Sequence, residues 1–441
     1  MNKKAPIYLA FILLLLLLIC HGCALSTETE ADTLTLSGGM GGNDIALTAA
    51  QSMGITLREI DEFFFTDTML LNRLVTHDDS VDIYYVEGNM ISTEIIFRKD
   101  FAAPITQPDL VAIVDGMYTP LRKAVMDGQT IMGMPIFVSS QENCLAYDLA
   151  VYETCLEEGY TLPNSWMQLL EQIAQWDEAL WQKQISPVNM DAHTLVRASL
   201  DYIIAQQQME GDEAGLSSED IVSLMDTAYR AAHNMEAHHA DQKEHILFWR
   251  QGITVSQSET NGFHTYPLPL WEGDMPTIPL RVCVAFINPY SRKQDLAQEF
   301  LVAYYHQMDP MLQMALSPQA NQPVENANAI EQMKRLQETI CWLESNLAEA
   351  QSSLGRREME SQLTECKQQL KLAEKNRYLV DETSLAAYEE SIQNGVVLSE
   401  QLWQDQSVAQ LIEQMLQGQM TPSNFCRELD RVMQMKEAES S

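Results

Sequence analysis

The chain has 441 residues, and at roughly 100–200 residues per domain that length predicts two or three domains. Hydrophobic residues make up 46% and charged residues 20% of it, enough apolar material for a sizeable core, which excludes wholesale disorder. Lys+Arg 27 against Asp+Glu 62 leaves a net charge of −35, a surface that repels phosphate backbones and argues against nucleic acid as a partner.

The chain opens with Lys3 and Lys4, followed by an apolar run from Ile7 to Cys20 broken only by Tyr8. This is the pattern of a secretory signal over residues 1–22. The run is shorter than the roughly 20 residues a spanning helix needs. It ends in Cys20-His21-Gly22-Cys23, where a small residue directly before a cysteine resembles the bacterial lipobox. Cys20 and His21 depart from that pattern, which usually has Leu at the first of those positions. The resemblance implies that the Cys23 thiol is acylated and begins the mature protein, anchored to the membrane by lipid. Residues 23–32 then form a short polar, acidic tether. No later stretch is apolar for 18 residues, and the only CxxC lies in this segment, so no zinc ribbon is suggested.

Thr33 to Ser37 alternates as a strand and runs into the glycine loop Gly38–Gly42. Asp44 caps a helix through Met53, residues 55–60 and 81–86 are further strands, and 68–75 has helical spacing. Strand and helix alternating at short intervals predict an α/β domain with a largely parallel sheet. Residues 163–244 are mostly helical, with one helix opening at Trp166 and another capped by Ser217-Ser218. Strand character returns over 246–256 and 280–287, and a helix follows over 295–308.

Residues 329–377 differ in kind. Met333, Leu336, Ile340, Leu343, Leu347, Ala350 and Leu354 recur at alternating three and four, as do Met359, Leu363, Cys366, Leu370 and Ala373. With a break at Ser352–Gly355, this predicts an antiparallel helical hairpin in which Leu347 faces Leu363, Ile340 faces Leu370 and Leu336 faces Ala373. Cys366 falls in the seam and Cys341 one step off it, a register that argues against a disulfide between them. Residues 407–435 hold two amphipathic helices separated by Gly418–Pro422.

Several segments, in order, resemble bacterial extracellular solute-binding proteins of family 1, the capture subunits of ABC importers, which include oligosaccharide binders. They are Ser80-Val81-Asp82-Ile83-Tyr84, Met126–Pro135, Leu145-Ala146-Tyr147-Asp148, Pro163–Leu170, Ala285-Phe286-Ile287 with Ser291–Leu301, and Gln417–Pro422. Asp148 stands where that family has Asn, and the match over Phe248–Val255 is weak. The resemblance implies a two-lobed, periplasmic-binding-protein-like (type II) α/β fold with a ligand cleft. Residues 33–140 and 286–328 would form one lobe, 141–285 and 386–441 the other, and 329–377 an inserted hairpin.

The same resemblance brings the loop 38–43 and the segments near Tyr85, Ser139 and Trp271 to the cleft. Its candidate ligand-binding residues are Gly39, Met40, Asn43, Tyr85, Ser139, Ser140, Trp249, Trp271 and Tyr290. Backbone N–H groups of the glycine loop can receive a polar ligand. Tyr84, Phe263 and Tyr266 add to the aromatic faces on which sugar rings stack, and core packing is the other use of each such ring. Trp166 and Trp176 are expected in the core. His238, Asp241 and His245 recur at three and four on one helical face, where a zinc ion or a solvated polar surface are the two readings. No cofactor is expected. The sequence has no GxSxG and no HExxH, and no enzyme activity is expected. The expected partners are a small solute, probed first among sugars and oligosaccharides, an ABC permease, and the membrane through the anchor. The alternative is an interaction protein, a sensor or scaffold whose hairpin binds a protein partner.

Overall fold

The computed structural model describes residues 32–37, 44–60, 67–86, 93–140, 144–211, 215–256, 263–349, 353–398 and 406–440. The fold is mixed α/β with several open sheets. The chain divides into two compact units, Met1–Tyr85 with Ile287–Gln307, and Val86–Phe286 with Met308–Ser441.

In the first unit, Thr33–Ser37 is flanked by Thr56–Ile60 and Ile83–Val86, both parallel to it. Leu34, Thr35, Leu36 and Ser37 are all buried, as expected of a central parallel strand covered on both faces. The helix Asp44–Met53 turns Ala46, Ala49 and Ala50 inward, and these small residues let it pack closely on the helix Gln294–Gln307 through Ala297, Phe300 and Leu301.

A buried polar knot ties this unit together. The Asp82 carboxylate, 4% exposed, accepts from Thr35 N–H at 2.8 Å and from the Ser291 hydroxyl at 2.5 Å. Asp82 N–H donates to Thr35 O, and Asn288 N–H donates to Asp82 O. The Asn288 amide donates to Asp78 O at 2.8 Å and Val81 O at 2.7 Å, and Lys293 Nζ reaches Thr33 O at 2.6 Å. Two of the motifs singled out in the sequence, around Asp82 and around Ser291, therefore meet as hydrogen-bond partners.

In the second unit, Ile278–Ile287 pairs antiparallel with Met134–Ser140 and parallel with Gly395–Val397. Gly395 is required by close approach, because a Cβ there would lie 2.2 Å from Leu280 Cδ1 and 2.8 Å from Ile392 O. A separate sheet runs in the order Phe263–Pro267, Cys144–Asp148, His245–Gln251, Ile185–Val188. The helices Trp166–Ala174, Ala192–Glu210, Glu219–Ala237, Gln406–Leu416 and Pro422–Ser440 enclose its main core. Trp166 is at the centre: it is 1% exposed, stacks on Tyr202 at 4.7 Å, and donates its indole N–H to Ser199 Oγ at 2.9 Å.

Three local expectations are corrected here. The strand Ile185–Val188 interrupts the stretch expected to be helical; Gln184 takes a left-handed turn just before it. Strand character after 245 ends at Gln251 rather than 256. Ser218 is the N-cap residue of its helix but makes no side-chain cap; Ser217 instead donates to Asp430, which also accepts from Leu216 N–H at 2.5 Å.

The helices Ala327–Glu349 and Ser353–Lys375 lie antiparallel, with Val324 and Glu325 pairing with Val380 and Tyr378 at their base. Ala329, Ile340, Leu343 and Ala373 are buried, and the other described seam positions up to Leu347 and from Met359 are half-buried. The residues between whose side chains are described are exposed apart from Asn346 and Gly355. Lys367 and Glu344 form an ion pair beside the seam at 2.8 Å. Leu354 departs from the spacing: at 77% exposure it lies outside the seam, because the helix beginning at Ser353 takes its phase from Met359. Cys341 is exposed, Cys366 half-buried, and both are free thiols. Among the described residues no helix is long and apolar enough to cross a membrane.

Candidate functional site

Four segments of the second unit converge on one polar cavity of about 430 Å³. That volume lies within the range of small-molecule sites, roughly 300–1,000 Å³. One wall is the first half of the helix Ala192–Glu210. Its N-cap Asp191 accepts from Thr194 N–H at 2.6 Å. The helix is buried almost all round, with Leu195, Val196, Leu200 and Ile203 in the core. Its polar residues His193, Arg197 and Asp201 are spaced by four and so form one stripe, and that stripe faces the cavity with Thr194 and Ala198 beside it.

The facing wall comes from strand ends. Ser139 and Ser140 close the strand Met134–Ser140, and Arg281 is the register partner of Ser139. Directly opposed residues of an antiparallel pair share a face, which brings Ser139 and Arg281 to the same cavity. Arg250, on the strand His245–Gln251, has its backbone N–H held by Asn189 Oδ1 at 2.8 Å. The chain beyond it is fixed by Ser140, whose Oγ accepts from Ile253 N–H at 2.7 Å. A Cβ on Gly252 would come within 2.9 Å of that same Oγ, so the backbone passes Ser140 only because this residue is glycine.

The electrostatics of this wall run against the rest of the molecule. Arg197, Arg250 and Arg281 face it with one carboxylate, Asp201, which is 4% exposed. Three guanidiniums and one carboxylate among the described lining residues is an unusual proportion in a protein whose acidic residues outnumber its basic ones 62 to 27. A neighbouring cavity of about 500 Å³ shows the usual balance: it shares His193 but carries Asp191, Glu236 and Glu413 and no arginine or lysine.

Of the residues expected at a ligand site, Ser139 and Ser140 line this cavity. Trp249 is adjacent to Arg250 on its strand and so faces the opposite side, 37% exposed. Trp271 packs against the core of the second unit. Tyr85 and Tyr290 belong to the first unit, where Tyr85 is half-buried and Tyr290 stacks on His77 at 4.3 Å. Cys23, Gly39, Met40 and Asn43 lie outside the described residues, as do the side chains of Phe263 and Tyr266.

The helical face expected to carry His238, Asp241 and His245 does not form. The helix ends at Ala237, a single 3-10 turn covers Ala240–Gln242, and His245 already begins a strand. His238 is occupied structurally: its ring stacks on Trp181 at 5.0 Å, with Nδ1 against Asn234 O at 2.9 Å and Nε2 against Glu178 at 3.1 Å. Among the described residues no group of three or more His, Cys, Asp or Glu could hold a metal ion.

The arginines were legible as anomalies, although periodicity passed over them. Arg281 is the sole charge in the ten-residue strand IPLRVCVAFI, and Arg197 and Asp201 interrupt a helix whose other buried positions are apolar apart from Ser199 and Gln206. A charge inside a buried element needs a polar counterpart, and three such charges on separate segments signal a shared polar pocket. No protein-family model matches the chain, and no curated protein is significantly similar to it.

Proposed function

We propose that this chain is a lipid-anchored solute-binding protein of an ABC importer, held at the extracytoplasmic face of a bacterial membrane through Cys23. It would capture a solute of the saccharide class and present it to a permease. The observation that carries the reading is the cavity, which gathers polar side chains from a helix and from separate strand ends in the second unit. Two further features support it. The sequence motifs of the family occur in order. The chain also divides into two compact units, each assembled from two separate stretches of sequence, and its mixed α/β fold is compatible with a two-lobed binding protein. In such a protein the ligand stabilises a closed conformer that the free protein visits rarely.

A thermal-shift screen of the full chain in detergent against sugars, oligosaccharides, peptides and metal ions tests this. A ligand at 100 times its dissociation constant stabilises by about 2.7 kcal/mol, a shift of several degrees. A dose-dependent rise confined to one solute class supports the reading, and a flat response to every small solute contradicts it.

A second reading, a sensor or scaffold that binds a protein through its hairpin, is favoured by one observation. Trp342 and Leu372 are 60% and 61% exposed on the hairpin, outside its seam. In that case deletion of 330–376 abolishes partner capture, and no solute shifts the melting temperature.

A further inference from the structure

We infer that the helical hairpin is a self-association surface, on which a second copy of this chain packs through the flank that carries Trp342 and Leu372. This contact is independent of the solute-binding reading. It follows from where the seam leaves these two side chains and from the charges that their flank lacks.

The helices Ala327–Glu349 and Ser353–Lys375 pack mainly on each other, which leaves a flank on either side of their seam. One flank is marked by the ion pair of Lys367 with Glu344 at 2.8 Å, two residues that each follow a seam position, Cys366 and Leu343. Glu360 and Glu374 follow seam positions in the same way, so this flank is charged. The other flank is built from the residues that precede seam positions. They are Gln332, Thr339, Asn346, Gln362 and Gln369, and none carries a charge. Trp342 lies three residues after Thr339 and four before Asn346, and Leu372 lies three after Gln369, so both stand on the uncharged flank. They are 60% and 61% exposed. Arg335, Glu358 and Glu365 lie further out at its margin, where Arg335 pairs with Glu331 of its own helix and Glu365 accepts from Gln369 Nε2 at 3.4 Å.

A second copy is the occupant this flank fits. Each copy has a net charge of −35, so two copies repel wherever their general surfaces meet, and a contact between them needs a face without net charge. The flank also complements itself. A two-fold axis in the contact plane, midway between the two side chains, sets Trp342 of each copy against Leu372 of the other. Because the two side chains sit on different helices of an antiparallel pair, the same axis lays each helix across its antiparallel counterpart and gives a four-helix bundle with antiparallel neighbours. Each helix has 23 residues, a length of about 34 Å, and two helices side by side are about 20 Å wide. A flank of about 700 Å² per copy buries about 1,400 Å² in the pair, within the roughly 1,200–2,000 Å² of stable interfaces. A tryptophan ringed by uncharged polar residues is the kind of anchor on which such interfaces depend.

The test is sedimentation velocity of the full chain in a density-matched neutral detergent, with micelles in excess so that two anchors do not share one. We expect a reversible dimer. Its dissociation constant should rise at least about tenfold in Trp342→Glu and in Leu372→Glu, and less than about threefold in Glu360→Gln on the charged flank. Both apolar side chains are exposed, so neither substitution should lower the melting temperature. Affinity should hold or tighten as salt rises, because salt screens the repulsion between copies. Photo-cross-linking keeps the test decisive if a glutamate variant misfolds. With Trp342 replaced by p-benzoylphenylalanine, irradiation of mixed isotope-labelled and unlabelled protein should join position 342 of one copy to residues 365–376 of the other. A monomer at concentrations up to about 100 µM, a dimer that neither glutamate variant weakens, or a dimer that dissociates as salt rises overturns the inference. Cross-links in cells from position 342 to a different protein, and none to a second copy, also overturn it and assign the flank to that partner.

Discussion

Asp82 should hold more of the first unit's stability than any other single polar group in it. Its carboxylate is the acceptor for a buried backbone N–H, that of Thr35, and for the Ser291 hydroxyl. Hydrogen bonds to a charged acceptor contribute about 1.5–3 kcal/mol each. Asp82→Ala removes both and leaves Thr35 N–H without its acceptor, for an expected loss of about 3–4 kcal/mol. Asp82→Asn keeps a carbonyl oxygen for Thr35 N–H and should cost about 1–2 kcal/mol. All seven tryptophans have numbers within the second unit, so fluorescence does not report on the first. Native-state hydrogen exchange does. With about 1.4 kcal/mol per factor of ten, protection of the amides of 33–37 should fall roughly 100- to 700-fold in Asp82→Ala. The Ser291→Ala effect should largely vanish in the Asp82→Ala background, because the two groups share one bond. A fall in protection below about fivefold, or fully additive Asp82 and Ser291 effects, would refute the reasoning.

Leu343 is 2% exposed in the hairpin seam, and Leu343→Ala should cost about 2–5 kcal/mol locally. Exchange should quicken over 327–375 while strand 278–287 keeps its protection; equal loss in both would contradict a locally stabilised hairpin. Burial pushes the Cys155 and Cys426 thiols up to about 12. Their folded values lie above the unfolded value of about 8.5, so their contribution to stability is fully present below that pH and is lost as pH rises toward 12. At pH 8 both should therefore resist alkylation in the folded protein while exposed Cys341 reacts. Mass spectrometry of alkylated peptides reads this directly, and rapid labelling of Cys155 would contradict it. Cys23→Ala should move the protein from the membrane fraction to the medium or leave an uncleaved precursor, and unchanged lipid labelling in that variant would remove Cys23 as the anchor.

Elements whose stabilising pattern is local were readable from the sequence. The strand Thr33–Ser37, the helix Asp44–Met53 and both hairpin helices follow from alternation, capping or heptad spacing confined to their own residues. The short strand Ile185–Val188 was not, because its reason to exist is a distant partner, His245–Gln251, with which it pairs in parallel. The stripe of His238, Asp241 and His245 failed for a related reason: its spacing assumes a continuous helix, and the turn at His239, with φ of 49°, breaks it. Of the cavity's residues, only Ser139 and Ser140 were expected at a ligand site, and the arginines were visible only as isolated charges in buried elements. Its arginines lie on separate segments, and periodicity carries no information on which buried charges share a pocket. The aromatic residues drew attention because stacking chemistry is legible residue by residue, whereas Trp271 is used in packing and Tyr290 in a stack on His77.

The most direct test of the cavity as the ligand site is the position of a bound solute in crystals grown with the sugar or oligosaccharide that raises the melting temperature most. The account predicts ligand density inside the cavity, with ligand oxygens about 2.7–3.2 Å from polar atoms of its lining residues such as Ser139, Thr194 or Arg281. The same solute bound at another surface while the cavity holds no ligand density would contradict it.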